Sequence, residues 1–366
     1  MPGWDVAVVG AGIAGAAVAW GCARRGARVV VVDRGSPACG ASGAAAGMLA
    51  PCSEAPEPGP FADLCRWSLG LWPALAAELL EEGGADCELD TGGLLRVALG
   101  EAEVAPLRSR AEAQSAAGVA VEWLEPAAVA ADEPGLGDVA GAALYAGEGH
   151  VHSVRAVNAL LSAARRRGAE VVSGVEVTGL DGGGALRLDD GRVLTAGDVV
   201  VCAGAWSDAV ASCLGGPPLP VEPVRGQILG VRGVRPGLRR VVYAGAEGYA
   251  VAKRDGLTLV GATEERAGFD ARPTEAADRG LRETGTRLLR GFAGATVAHT
   301  WVGLRPRAPD GLPLLGRIGD GLFAATGHHR NGVLLAPATA GVMATAVLDG
   351  LAPAGWEAFD PLRVPR

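Results

Sequence analysis

Residues 5–15 read "DVAVVGAGIAG", and with the continuation "AAVAWGCARRGARVVVVD" to residue 33 they decide the fold. "DVAVV" is short, apolar and β-branched, suited to a strand buried on both faces. Gly10, Gly12 and Gly15 follow in GxGxxG spacing, with Ile13 and Ala14 between the last two. Small residues then recur at helical spacing until Gly26, where a helix would stop. "ARVVVVD" is a second buried strand that ends in Asp33. The glycines differ in what they make possible. Gly10 permits the tight turn, Gly12 lets the backbone approach a pyrophosphate, and Gly15 lets helix and strand pack closely. The helix N-terminus offers N–H groups to anionic oxygens, and Asp33 is placed to accept from ribose hydroxyls. Glycine-rich turns also occur for packing alone, but here strand, helix, second strand and terminal acid arrive in order. A carboxylate at 33 disfavours a 2′-phosphate and leaves FAD or NAD.

The rest of the composition narrows the class. With 366 residues the chain has room for two domains and a sizeable core. Its 57 glycines and 4% aromatic residues describe close packing through small side chains. A formal charge of −8 argues against nucleic acid as a partner, which would want a basic face. The seven cysteines (Cys22, Cys39, Cys52, Cys65, Cys87, Cys202, Cys213) contain no C-x-x-C pair and suit reduced thiols in a cytoplasmic enzyme. The histidines at 150, 152, 299, 328 and 329 lack the neighbouring ligands of a metal site, so no metal is expected. Residues 6–23 are uncharged, but Asp5 and the glycine spacing speak against a signal peptide or membrane anchor. Residues 331–348 are also uncharged, contain Pro337, and read as a buried helix, so no membrane partner is expected. A homo-oligomer is compatible with all of this.

Two further stretches carry signal. "CGASGAAAGMLAP" (39–51) has almost no side-chain bulk, as a backbone lying against a flat cofactor requires, although a flexible loop has the same composition. "GDVVVCAGAWSD" (197–208) repeats a buried strand running into small residues, with Trp206 and Ser207 at the turn. Strands are expected in "LLRVAL" (94–99), "QILGVRG" (227–233), "RRVVYAG" (239–245) and "YAVAKRDGLTLVGAT" (249–263), with "KRDG" as a hairpin turn. Helices are expected near 61–82, 101–117, 153–167 and 274–291, and "DGGG" from 181 as a turn.

Taken together, "VVGAGIAG" (8–15), "ASGAAAGMLAP" (41–51), "GEGHVHSVRAVNALLSAARRRGAEV" (147–171), "CAGAWSD" (202–208), "GLRPRAPDGLPLLG" (303–316) and "GHHRNGVLLAPATAGVM" (327–343) resemble the D-amino acid oxidase superfamily of FAD enzymes. Within it the motifs are most similar to the bacterial glycine oxidase branch of thiamine biosynthesis. The resemblance implies an α/β architecture: a discontinuous Rossmann-like FAD-binding domain (1–85, 146–220 and 306–366) and a substrate domain (86–145 and 221–305) with a mixed, largely antiparallel sheet and helices. It implies noncovalent FAD, with no attachment through Cys39, held by Gly10, Gly12, Ile13, Ala14, Gly15, Asp33, Arg34, Ser42, Ala45, Ala46, Gly47, Met48, Val177, Ala203, Gly204 and Trp206. His329, Arg330, Asn331, Gly332, Val333 and Leu334 complete that set, the last four approaching a helix whose N–H groups would face the flavin's pyrimidine edge. The helix proper is expected to begin near Pro337.

The resemblance also implies a catalytic set. Arg305 matches an arginine that holds the substrate carboxylate with its bidentate fork, Tyr249 a tyrosine that closes over it, and Arg330 a second active-site arginine. Each has a plain structural alternative: an interface ion pair, a carbonyl cap, a core tyrosine. His328 is expected to order its loop, and His150 and His152 to pack at a strand-to-helix junction. The implied reaction is oxidation of glycine or another small amino acid (sarcosine, D-amino acids) by hydride transfer to flavin. The products are an imine or 2-oxo acid, ammonia and, with molecular oxygen as acceptor, hydrogen peroxide. A D-amino acid dehydrogenase with a different acceptor, or a nucleotide-binding protein without turnover, are the alternatives. Glu247 and Glu264 depart from the residues expected at those places; either they make the pocket more acidic, favouring amine-bearing or basic substrates, or Glu264 faces solvent.

Overall fold

The computed structural model describes residues 3–54, 58–351 and 355–363. Its first sheet is built on the opening motif. The strand Trp4–Val9 lies between Val29–Asp33 and Val193–Val201, parallel to both. Glu170–Ser173 extends the sheet on one side, and Leu322–Thr326 with antiparallel Leu314–Gly319 extends it on the other. A hairpin of Val177–Asp181 and Ala185–Leu188 pairs with the first half of Val193–Val201.

Strict two-residue alternation explains why these strands are apolar throughout: Val6, Val8, Val29 and Val31 enter one core, Ala7, Val9, Val30 and Val32 the other. The first core is roofed by the helices Ile13–Arg24, Ser153–Arg166 and Ala336–Asp349, and Pro60–Gly83 packs outside the last two. The small residues of Ile13–Arg24 let it approach Ala336–Asp349 closely, which is why this helix is alanine-rich and buried along nearly its whole length.

The second sheet has eight strands: Thr296–Arg307, Glu222–Arg232, Leu257–Gly261, Tyr249–Ala252, Val241–Tyr243, Leu94–Ala98, Gly141–Tyr145 and Val121–Leu124, in that spatial order. Only the pair of Val241–Tyr243 with Leu94–Ala98 is parallel, so the sheet is mixed and largely antiparallel. Helix Glu275–Leu288 covers one face with Ala277, Leu281, Gly285 and Leu288, a spacing of three and four that keeps them on one stripe. Thr274 caps it by accepting from Ala277 N at 3.3 Å. Helix Glu101–Ala116 covers part of the other face with Leu107 and Ala111.

Some expectations are adjusted. The helix expected to reach 291 ends at Leu288, because Leu289 forms a bridge with Leu136. Residues 331–335 form turns, and the helix begins at Ala336 with Pro337 in its first turn, where the missing N–H costs nothing. "KRDG" is the expected hairpin turn, yet its Lys253 is buried. Strand Thr296–Arg307 runs through position 305, so the expected division between 305 and 306 falls inside one strand.

Candidate active site

A cleft of about 960 Å³ lies between the two sheets, near the upper end of small-molecule sites, which span roughly 300–1,000 Å³. At one end is the glycine loop. Gly10 sits at φ 113°, a left-handed conformation, and a Cβ there would overlap the Cys202 carbonyl of the neighbouring strand. Asp33 braces the loop with both oxygens: Oδ2 accepts from Ala11 N at 2.6 Å and Oδ1 from Gly35 N at 2.7 Å. Each oxygen retains a further lone pair for a ligand. Ser42 Oγ accepts from Ile13 N at 2.9 Å, tying the 39–51 stretch to the helix start. The helix itself has no acidic residue in its first turn, which leaves its positive end for an anion. Arg34 stacks 4.5 Å from the Trp206 ring centroid beside this end.

The middle of the cleft is nearly bare of side chains: Ala44, Ala45, Ala46, Gly47, Ala203, Gly204 and Ala262 line it. The loop that supplies most of these is held from behind. Ser153 Oγ donates to Ala45 O at 2.9 Å, and Met48–Leu49 pairs with Gly149–His150. Lys253 Nζ donates to Ala46 O at 2.7 Å and Val151 O at 3.0 Å and lies 3.2 Å from His150 Nδ1. Burial pushes Lys253 down to about 7. Burial, then the lysine charge, push His150 down to about 4. Nothing in the sequence pointed to Lys253, since a lysine in a hairpin turn ordinarily faces water.

Side chains from the second sheet and the 327–334 turns make the other end. Arg305 projects from strand Thr296–Arg307, and Nη1 donates to Thr263 O at 3.0 Å. Gly226 on the adjacent strand makes room for the guanidinium, because a Cβ there would overlap it. Tyr249 is buried opposite Gly261, whose missing side chain accommodates the phenol ring. Arg330 Nη1 and His329 Nε2 each lie 3.7 Å from a Glu264 oxygen. Glu247 pairs with Arg287 at the cleft margin. Burial pushes His329 down to about 4, the charges of Arg305 and Arg330 adding to the effect against Glu264. His328, also at about 4 through burial, is held 3.1 Å from Thr339 Oγ1. Both imidazoles are therefore neutral at pH 7.

The structure brings nearly all the expected residues to this one cleft: Gly10, Gly12, Ile13, Ala14, Asp33, Arg34, Ser42, Ala45, Ala46, Gly47, Met48, Val177, Ala203, Gly204, Trp206, Tyr249, Arg305, His329, Arg330, Gly332 and Val333 all line it. Three expected residues do not. Gly15 packs beneath the Gly10 carbonyl, where a Cβ would overlap. Asn331 closes a turn, donating from N to His328 O at 2.9 Å and accepting from Leu335 N at 2.8 Å. Leu334 is buried toward helix Pro60–Gly83, its carbonyl accepting from Ser68 Oγ at 2.7 Å and Trp72 Nε1 at 3.1 Å. Ser68 and Trp72 thus set this turn from a helix in which no motif hinted at such a role.

A cleft with a helix start free of acidic side chains and a bracing carboxylate at one end, a bare middle and guanidinium groups at the other has the features a flavin dinucleotide site requires. The family model for FAD dependent oxidoreductases designated DAO matches residues 5–346. The chain belongs to this family. Its cofactor is FAD, and it is an oxidoreductase. It is 36% identical to a glycine oxidase of Geobacillus kaustophilus over 94% of this chain and 93% of that protein. It is 35% identical to a glycine oxidase of Pseudomonas aeruginosa over 93% of each chain. Among solved structures, glycine oxidase from Geobacillus kaustophilus superposes with a TM-score of 0.92 over 99% of both chains at 34% identity. Iminodiacetate oxidase from Chelativorans sp. BNC1 superposes with 0.87 over 98% of this chain and 99% of that one at 28% identity. Among the described residues no cluster of metal-ligating side chains occurs, and no helix is long and apolar enough to cross a membrane.

Proposed function

We propose that this FAD enzyme oxidises glycine or another small amino acid, such as sarcosine or a D-amino acid, to the imine, which water hydrolyses to the 2-oxo acid and ammonia, or methylamine in the case of sarcosine. Oxygen serves as acceptor and gives hydrogen peroxide, and the seven free thiols suit a cytoplasmic setting. The observation that carries the reading is Arg305, a partly buried guanidinium fixed by the Thr263 carbonyl at the far end of a cleft that opens with a dinucleotide loop. When bound, FAD would supply the hydride acceptor; Gly12, Ile13 and Ala14 would hold its pyrophosphate, Asp33 a ribose, and residues 44–48 with His329, Arg330, Gly332 and Val333 its ring system.

The protein's own work is positioning. Arg305 grips the substrate carboxylate with its planar fork, Tyr249 closes over the same group, and Arg330 adds positive charge. One carboxylate fixed in two contacts leaves the α-carbon little freedom, so that a single C–H bond is presented to the cofactor. The neutral His328, buried, and His329, partly buried, add no competing cation and leave the arginines to dominate the field. The glycine oxidase relatives favour glycine as a substrate.

The test is a panel of glycine, sarcosine, D-alanine and D-proline, scored for bleaching of the flavin absorbance without oxygen and for peroxide in air. Bleaching with stoichiometric peroxide is expected for at least one of them. Bleaching without peroxide would make the protein a dehydrogenase, and no bleaching with any amino acid would end the proposal.

A further inference from the structure

Glu264 stands one residue beyond the carbonyl that steadies Arg305. The strand Leu257–Gly261 ends before it, and pairing with Glu222–Arg232 resumes one residue out of register at the bridge of Arg225 with Glu265, leaving 262–264 as an irregular segment at the cleft. Thr263 and Glu265 turn toward the neighbouring strand, where Thr263 Oγ1 accepts from Gln227 N at 2.9 Å and Glu265 pairs with Arg225 at 2.6 Å. Glu264 takes no part in these contacts and lines the cleft. Its side chain is 48% exposed, with one oxygen 3.7 Å from Arg330 Nη1 and the other 3.7 Å from His329 Nε2. With His329 neutral, Arg330 is the cation whose charge Glu264 offsets.

We propose that Glu264 restricts this site to amino acids with a single carboxylate. The proposal rests on Arg305 as the carboxylate anchor. Two arginines lining one cleft would hold a dicarboxylate at both ends, but Glu264 offsets Arg330 and sets a negative charge on the wall beside the anchor. A second substrate carboxylate arriving there meets like charge, whereas glycine, sarcosine and D-alanine bring none. Selectivity thus comes from a repulsive element rather than from the size of the pocket. Iminodiacetate, the molecule in the name of one structural relative, is glycine with a second carboxylate carried on nitrogen, and D-aspartate carries one on its side chain.

The experiment compares FAD-loaded wild type with Glu264→Gln and Glu247→Gln. Glu247 lines the same cleft but is paired with Arg287, so it controls for a general loss of negative charge. Two ratios are read: kcat/KM for iminodiacetate over glycine, and, without turnover, the affinity for malonate over acetate from the flavin absorbance change. Both ratios are expected to rise about tenfold or more in Glu264→Gln, the equivalent of ~1.4 kcal/mol. Glu247→Gln is expected to move them less than about threefold, as an exposed charge already paired with Arg287 should. Unchanged ratios in Glu264→Gln, or an equal rise in both variants, would overturn the proposal. Binding of neither acid would also overturn it, by removing the anchor. If no amino acid is oxidised while malonate and acetate still bind, the proposed function fails and the affinity ratio alone decides the role of Glu264.

Discussion

The two ends of the cleft are built on different plans. The dinucleotide end is a matter of backbone: Gly10, Gly12 and the first turn of helix Ile13–Arg24 lie within one short stretch, and Asp33 closes it at the end of the next strand. The amino-acid end is a matter of side chains from separate elements. Tyr249 and Arg305 come from non-adjacent strands of the second sheet, Glu264 from beyond the end of another strand, and Arg330 from a turn after the first sheet's last strand. The first plan fixes a common ligand by geometry that any member of the family can share. The second leaves each charge free to change alone, so substrate choice can shift without disturbing the cofactor loop.

That separation can be broken by experiment. Arg305→Ala is expected to retain FAD while kcat/KM for the best amino acid falls about a thousandfold, ~4 kcal/mol, since removing one partner of a desolvated charge pair carries that scale of loss. Loss of flavin along with activity would show that the two ends are not independent. His328, in the turns at the amino-acid end, is buried and held against Thr339. Its folded pKa of about 4 is below the value of 6.5 for a free imidazole, so the unfolded chain takes up the proton first. Its contribution to stability is present above pH 6.5 and is lost as pH falls toward 4, on the order of 3 kcal/mol over that window. Thermal melts between pH 7 and 4.5 should show a shallower acid slope in His328→Gln than in wild type, and identical slopes would remove this histidine from the account.

Smaller effects sharpen the contrast. Tyr249→Phe is expected to raise KM for the amino acid by about tenfold or less, the scale of one hydrogen bond at ~1 kcal/mol, with FAD affinity unchanged in a fluorescence titration. Arg34→Ala removes a guanidinium stacked on Trp206 at the opposite end. It should weaken FAD binding by roughly two- to fivefold and leave KM alone, because an exposed cation–π contact contributes little. A change in KM there would mean that the cofactor end reaches into substrate binding.

Most of the architecture is legible in the sequence, because the signals are local. The valines of 29–32 and the hairpin stretch 249–263 point to strands at nearly the observed places, and the stretches 153–167 and 274–291 point to helices, the second ending early at Leu288. Where local rules failed, a distant partner was responsible. Leu334 reads as part of the approach to the cofactor, but Ser68 and Trp72 draw its carbonyl away into the core. Lys253 reads as a solvated turn residue, yet it is buried against the carbonyls of Ala46 and Val151, which no spacing within 253–256 could show.

By itself the sequence determined the nucleotide fold and the place of its glycine loop, because backbone turns, strand burial and helix starts depend on neighbours a few positions away. Tertiary structure alone decided which charges face one another: that Arg305 leans over the gap left by Gly226 and rests on Thr263, and that Glu264 meets Arg330 and His329. Coulombic and hydrogen-bond energies depend on separations of a few ångströms between side chains that are far apart in the chain, and those separations exist only once the two sheets have packed.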